Sequence, residues 1–148
     1  MVLSPQTIRR LGILDPAIEE TKYHGVSCGY SHAGYDLRLA EEILIPARGF
    51  ILTSTIEHFH MPNNVLGVVH DKSTWARRGL SVLNTVVEPG WNGYLTLEII
   101  NHTDKNFVLP HYVGIAQVVF QFLDKPTERA YSGKYQYQAA GPQPAKDY

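Results

Sequence analysis

The run Gly93 to Asn101 alternates so that Tyr94, Thr96, Glu98 and Ile100 point to one face of a strand and Leu95, Leu97 and Ile99 to the other. Glu98 therefore stands opposite the most apolar row, where a carboxylate can take up a proton and return it. The commoner use of such a residue is a solvent-facing strand charge, and Glu88, beside the Pro89-Gly90 turn, is open to the same two readings. A second candidate is Asp71-Lys72-Ser73-Thr74-Trp75-Ala76-Arg77-Arg78-Gly79-Leu80, whose composition suits a short helical turn capped by Asp71 or Ser73. Its first N–H groups, with Lys72, Ser73 and Thr74, offer phosphate oxygens a cation and two hydroxyls, and Ser73 and Arg77 share one helical face. The plainer reading is a solvated, capped turn.

His58-Phe59-His60 puts two imidazoles on one strand face, a spacing that metal-binding jelly rolls of the cupin type use. Such a site also needs a carboxylate shortly downstream and a later histidine, whereas Met61-Pro62-Asn63-Asn64 follows and His111 falls in a turn. Two partly exposed strand histidines with no metal are preferred. The stretch Tyr131-Ser132-Gly133-Lys134-Tyr135-Gln136-Tyr137-Gln138 combines rings, amides and a cation that can close over a nucleotide, or can equally be a flexible terminus.

These groups need a scaffold, and 148 residues suffice for one domain with a real core but not for two ordinary ones. With 44% hydrophobic and 18% charged residues the chain has a globular balance. A formal charge of -1 excludes a surface that is basic throughout, so neither a nucleic-acid polymer nor an anionic membrane is an expected partner. No apolar run approaches the roughly 20 residues of a membrane span, and Met1 to Pro5 carry no secretory signal pattern, so a cytoplasmic location is expected. The one cysteine, Cys28, excludes an internal disulfide and a multi-cysteine zinc site. Ser4-Pro5 followed by Ile8, Leu11 and Leu14 predicts a short capped helix ended by Gly12 and Asp15-Pro16. From Tyr35 onward, short β-type segments alternate with breaks at Pro46 to Gly49, Met61 to Asn64, Pro89-Gly90, His102 to Asn106, Leu109 to Gly114 and Asp124 to Thr127. That predicts an all-β sandwich, jelly roll or barrel. In Ile115 to Leu123, Ala116, Val118, Phe120 and Phe122 form the core row, and from Ala130 strand character is lost to a tail or flap.

Taken in order, Ala33-Gly34-Tyr35-Asp36-Leu37-Arg38-Leu39, Lys72 to Leu80, Glu88-Pro89-Gly90-Trp91-Asn92-Gly93-Tyr94-Leu95-Thr96-Leu97-Glu98, Gly114-Ile115-Ala116-Gln117 and Gly133 to Gln138 resemble the successive motifs of dCTP deaminases and the related dUTPases. The resemblance spans nearly the whole chain, and the N-terminal helix is similar to that of the deaminase branch. It implies a distorted β-sandwich or jelly roll over residues 1–148, with 130–148 as a flap, assembled as a homotrimer with shared active sites. It also implies Mg²⁺ carried with the nucleotide triphosphate, no protein metal site and no zinc. A Glu at position 98 and the absence of a Gly-rich C-terminal phosphate motif favour deamination of dCTP to dUTP and ammonia, which would feed dUMP and dTTP supply.

By the same resemblance, Glu98 shuttles protons, while Ser73 and Arg77 position the attacking water. Lys72, Ser73, Thr74, Lys134 and Gln138 hold phosphates, Tyr131 and Tyr135 close the site, and Trp91 selects deoxyribose; Trp75, Ala76, Thr96 and Leu97 complete the nucleotide contacts. Two features depart from the family pattern. Ser81 to Val87 is shorter than expected in a region that shapes the base pocket, and Glu88 stands where the family has the Asp that activates water in dUTPases. Hence a bifunctional enzyme converting dCTP to dUMP, or a dUTPase releasing diphosphate, are the nearest alternatives, with a catalytically silent trimer that binds nucleotide or a partner protein beyond them.

Overall fold

Ser4 precedes α1 (Pro5–Leu11) as the extended N-cap and Pro5 opens it, but the Ser4 hydroxyl meets Thr7 Oγ1 at 3.2 Å and caps no backbone N–H; Gly12 ends the helix in the left-handed conformation at φ 63°. The computed structural model describes residues 1–147; Tyr148, the last residue of the expected domain and flap, lies outside the described residues. Helix α1 buries Ile8 fully, whereas Leu14, expected on the same apolar stripe, starts a strand.

The strands are β1 (Leu14–Asp15), β2 (Thr21–Tyr23), β3 (Val26–Ser31), β4 (Gly34–Arg38), β5 (Ile43–Ile45), β6 (Phe50–His60), β7 (Val65–Asp71), β8 (Leu80–Val82), β9 (Val86–Val87), β10 (Asn92–Asn101), β11 (Phe107–Leu109) and β12 (Gly114–Phe122). A second, one-turn helix α2 (Ser73–Ala76) joins β7 to β8. The mostly-β expectation holds, but strands begin well before Tyr35. Thr21–Tyr23 is exposed throughout and carries no buried alternation, so only its pairing with β3 makes it a strand. Among the described residues, no helix is long and apolar enough to cross a membrane.

The strands form a six-stranded sheet, β2-β3-β4-β12-β7-β9, a four-stranded sheet, β1-β6-β10-β8, and the pair β11-β5. Phe120 of β12 meets Phe59 of β6 across the interior, with ring centroids 6.3 Å apart, and both are fully buried. Each side chain of this size contributes about 1.5–3 kcal/mol by leaving water. The expected core row Ala116, Val118 and Phe120 is fully buried, and Phe122 is partly so.

Strand β6 links the two larger sheets through an irregularity. It pairs with β10 at His58↔Tyr94 and resumes at Ser54↔Thr96, so Thr55, Ile56 and Glu57 stand opposite Leu95 alone. There β6 turns to β4: Thr55 bridges Leu39, and Ala40 N–H donates to the Ser54 carbonyl at 3.0 Å. Glu57, wholly buried, accepts from Arg38 Nε at 2.7 Å, Arg38 N–H at 3.1 Å and the Tyr35 hydroxyl at 3.2 Å. Arg38 also donates to the Pro16 carbonyl at 2.8 Å, and Tyr35 accepts from Ile18 N–H at 3.1 Å.

Replacing Arg38 by Met leaves the Glu57 carboxylate buried without its cation, which is expected to cost about 3–5 kcal/mol. Urea unfolding should register this as a large drop in midpoint, and Arg38→Met with Glu57→Leu should recover most of it. A single variant as stable as the parent would refute this account of the bulge.

Candidate active site

Strand β10 brings its outward face to a cavity of about 560 Å³. Thr96 and Glu98 line it as the alternation requires, while Leu97 turns into the core and is fully buried, so only its backbone is available to a ligand. Leu95 corrects the simple alternation. It is buried with the core yet walls the cavity, because the pairing with β6 shifts beside it. Phe50 and Leu52 of β6 add an apolar wall, and Leu52 lies directly opposite Glu98 in register. The short stretch after Ser81 still reaches the cavity: Thr85, Val86 and Val87 line it, and Leu83 N–H anchors the stretch on the Glu98 carbonyl at 3.0 Å.

Within this apolar setting one oxygen is anomalous. Glu98 Oε2 is buried and has no hydrogen-bond partner, and burial holds the carboxyl above its ordinary pKa. An unpartnered carboxylate oxygen in a cavity can take a proton from a bound molecule and return it. Glu88, exposed, and Trp91, buried, lie on the same cavity.

The segment expected to be a tail or flap has no strand of its own, but it is fastened along the cavity rim. Tyr131 N–H donates to the Pro89 carbonyl at 2.9 Å, and Trp91 Nε1 donates to the Tyr135 carbonyl at 2.7 Å. Gln138 bridges to Gly93 in parallel fashion. The two glycines of the Pro89-to-Gly93 stretch make this approach possible. A Cβ on Gly90 would stand 2.7 Å from Ala130 Cβ, and one on Gly93 would stand 2.7 Å from the Gln138 nitrogen. Tyr131, Tyr135 and Gln138 line the cavity, whereas Lys134 does not; its ammonium lies 5.3 Å from the centre of the Tyr135 ring.

The other half of the expected constellation is not among the residues that line this cavity. Helix α2 is a single turn as read, but its N-cap is Lys72, and no side chain caps it. Asp71, expected as a cap, instead accepts Val82 N–H at 2.6 Å. Lys72 donates to Asp36 at 2.5 Å and to Ser27 at 2.8 Å, and buried Trp75 spends its indole N–H on the Gly114 carbonyl at 2.7 Å. Ser73, Ala76 and Arg77 are exposed and Thr74 is half-buried. None of the residues from Lys72 to Arg77 lines the cavity that holds Glu98. His58 and His60 share a strand face, with Nδ1 and Nε2 3.2 Å apart, and His58 meets the Tyr94 ring edge-on. Among the described residues no three His, Cys, Asp or Glu side chains gather to hold a metal ion.

Several cavity residues were not read from the sequence. Phe50 and Leu52 carry no polar signature, and Gln143, Pro144 and Ala145 lie in a stretch with no periodicity, whereas Thr85 to Val87 fall in the stretch expected to shape the base pocket. The β10 alternation pointed to Glu98 and Thr96, and the family resemblance to Glu88, Trp91, Tyr131, Tyr135 and Gln138.

The family profile described as dCTP deaminase-like matches residues 34–123. A dCTP deaminase of Herpetosiphon aurantiacus is 38% identical, over 86% of this chain and 87% of its own length. One of Campylobacter concisus is 35% identical, over 91% and 92%. Among solved structures, native EIAV dUTPase superposes with a TM-score of 0.61 at 20% identity, covering 82% of this chain and 97% of that one. A mutant dUTPase of S. aureus phage phi11, described with a structural Mg(II) ion, superposes with a TM-score of 0.60 at 15% identity, covering 82% and 94%. At those identities the structural likeness concerns the fold.

The raised pKa of Glu98 has a consequence for stability. The folded chain binds this proton more tightly than the unfolded chain, so the associated stabilisation is complete below about 4.5, the ordinary value, and is lost as pH rises through the raised one. Glu98→Gln is therefore expected to raise the urea midpoint at neutral pH, with the gain shrinking as pH falls toward the ordinary carboxylate range. A gain independent of pH would contradict the desolvated carboxylate.

Proposed function

The chain belongs to the dCTP deaminase-like family, and from that premise we propose that it hydrolyses the 4-amino group of dCTP, giving dUTP and ammonia. The observation that carries this reading at the level of residues is the buried, unpartnered oxygen of Glu98 on the cavity wall. Water adds its oxygen to C4 of cytosine, the C4–N bond breaks, and of the two protons of that water one completes the leaving amino group to ammonia and the other ends on ring N3 of the uracil product. Glu98 takes a proton from the attacking water and delivers it to the departing nitrogen, and its raised pKa suits both halves of that transfer. The apolar walls at Leu52, Val87 and Leu95 keep bulk water from competing for the same carboxylate.

Ser73 and Arg77 polarise the water and offset charge developing on the base. Since they do not line the Glu98 cavity, the proposal assigns them to the site of a neighbouring copy in a homotrimer, so that each site is completed across an interface. Thr74, with the backbone of Trp75 and Ala76, joins them on the phosphates. Lys72 reaches a phosphate only by leaving Asp36, and otherwise steadies the turn that presents Ser73. Residues 130–147 act as the flap, with Tyr131, Lys134, Tyr135 and Gln138 on the nucleotide and Trp91 beside the deoxyribose. Mg²⁺ would enter with the triphosphate, whose oxygens would hold it and whose charge it would offset.

Glu88 supports a second reading. Its carboxylate lies on the Glu98 cavity and also lines an adjoining one, a position from which it can activate a water at the triphosphate and release diphosphate. The enzyme would then run from dCTP to dUMP, or act mainly on dUTP.

Incubation with Mg²⁺ and either dCTP or dUTP, with ammonia and diphosphate measured, separates these readings. Ammonia from dCTP with dUTP accumulating is the expected result, and diphosphate from dUTP with dCTP untouched would reverse the role of Glu98. Glu98→Gln is expected to lower ammonia release by about a thousandfold or more while nucleotide still binds. Mixing inactive Glu98→Gln with inactive Arg77→Ala after co-refolding should restore part of the activity, because some interfaces then hold both intact residues. No recovery would place each site within one chain.

A further inference from the structure

Thr96 is buried, lines the cavity and shares the strand face of Glu98, two residues before it. Its hydroxyl is where the flap is fastened to that face. Gln143 N–H donates to Thr96 Oγ1 at 3.0 Å, and Gln138 Nε2 donates to the same oxygen at 3.2 Å. The Gln138 amide is oriented by a second contact: Nε2 also donates to the Tyr94 carbonyl at 2.8 Å, an acceptor that only the nitrogen end can serve. Both groups on the Thr96 oxygen are therefore donors, one because it is a backbone N–H and the other because the Tyr94 carbonyl fixes it.

A threonine hydroxyl has two lone pairs and one hydrogen. With both lone pairs taken by the flap, Thr96 can act toward anything else only as a donor, and no acceptor among the described residues takes its hydrogen. Two donors on one oxygen also polarise its O–H and strengthen it. About 6.5 Å along the strand, Glu98 presents the opposite character, an oxygen that no donor reaches. The face thus sets a donor beside an acceptor. Cytosine carries the complement, since the amino group on C4 donates and ring N3, bonded to C4, accepts. Uracil has a carbonyl at C4 and a hydrogen on N3, so both characters are reversed. We infer that Thr96 is a specificity-determining residue that donates its hydroxyl hydrogen to N3 of the base, while the seated flap bars it from accepting one. The inference rests on the deaminase reading above and deepens it. The bond draws charge onto N3 as water adds at C4, and the product's N3–H finds no lone pair on Thr96, so substrate is preferred to product in the same cavity.

The test uses the full chain carrying Glu98→Gln, so that no base is converted, alone or together with Thr96→Val or Thr96→Ser. Binding of the α,β-imido analogues of dCTP, 3-deaza-dCTP and dUTP is followed by tryptophan fluorescence, to which Trp91 on the cavity wall contributes. The preference for the dCTP analogue over the 3-deaza analogue, which has no ring acceptor at that position, is expected to fall about tenfold in Thr96→Val, the size of one hydrogen bond. The preference over the dUTP analogue should fall at least as far, and Thr96→Ser should keep both. A loss shared equally by the three analogues would overturn the inference, because it means that Thr96 only fastens the flap, and so would unchanged preferences. Ammonia release by the parent keeps the two readings apart. If the parent released none from dCTP while the preferences followed Thr96, the deaminase reading would fall and Thr96 would stand as a reader of the base. Ammonia released with preferences indifferent to Thr96 would sink Thr96 alone.

Discussion

The path of β6 depends on where one charge is buried. Glu57 sits in the stretch that breaks register with β10, and its two oxygens take donors from Arg38 and Tyr35 of β4. A carboxylate with no exposure is tolerable only with such pairing, so β6 must leave β10 and lean on β4 at that point. That lean ties the two larger sheets together. It also leaves Leu95 without a direct partner on β6, and Leu95 fills the cavity wall next to Thr96 and Glu98. The core charge and the candidate active site are therefore two ends of one irregularity.

Glu57 and Glu98 are both buried acids, but one is committed to the fold and the other is left open to a ligand. Burial raises both pKa values, but the guanidinium and hydrogen bonds around Glu57 pull back toward the charged form, while Glu98 has only desolvation of any size acting on it from its surroundings. One carboxylate is saturated with donors and has nothing left to offer a ligand. The other keeps an oxygen unused inside a cavity, at a cost in stability that protonation or a bound molecule can relieve.

Sequence pattern reached Glu98 because β10 alternates cleanly over most of its length, and it reached α1 because Ser4, Pro5 and Gly12 mark the helix ends through local backbone preference alone. It missed Glu57 because a bulge cancels the period of two that assigns faces, so Thr55, Ile56 and Glu57 read as ordinary strand. Strands β2 and β3 were missed for a related reason: β2 exposes every residue, and β3 is buried at nearly every position, so neither alternates. The motif around Ser73 and Arg77 was legible as a helical turn, but that it does not line the Glu98 cavity is a matter of chain path, which local spacing does not carry.

That separation shapes the whole functional reading. A hydrolytic site needs a base and groups to hold the water and the charged end of the substrate, and one copy of this chain offers the base and a closing flap around one cavity and the Ser73–Arg77 turn elsewhere. The flap is fitted to its cavity by Gly90 and Gly93, where any side chain would collide with Ala130 or Gln138. The turn is fixed to its own sheet by Trp75 and the Lys72–Asp36 pair. Both parts are held by contacts within the chain, so in the proposed trimer they would meet by docking of a second copy at the cavity mouth and not by rearrangement of either. On that proposal the orphaned oxygen of Glu98 is a group of the site already open to a ligand within a single chain.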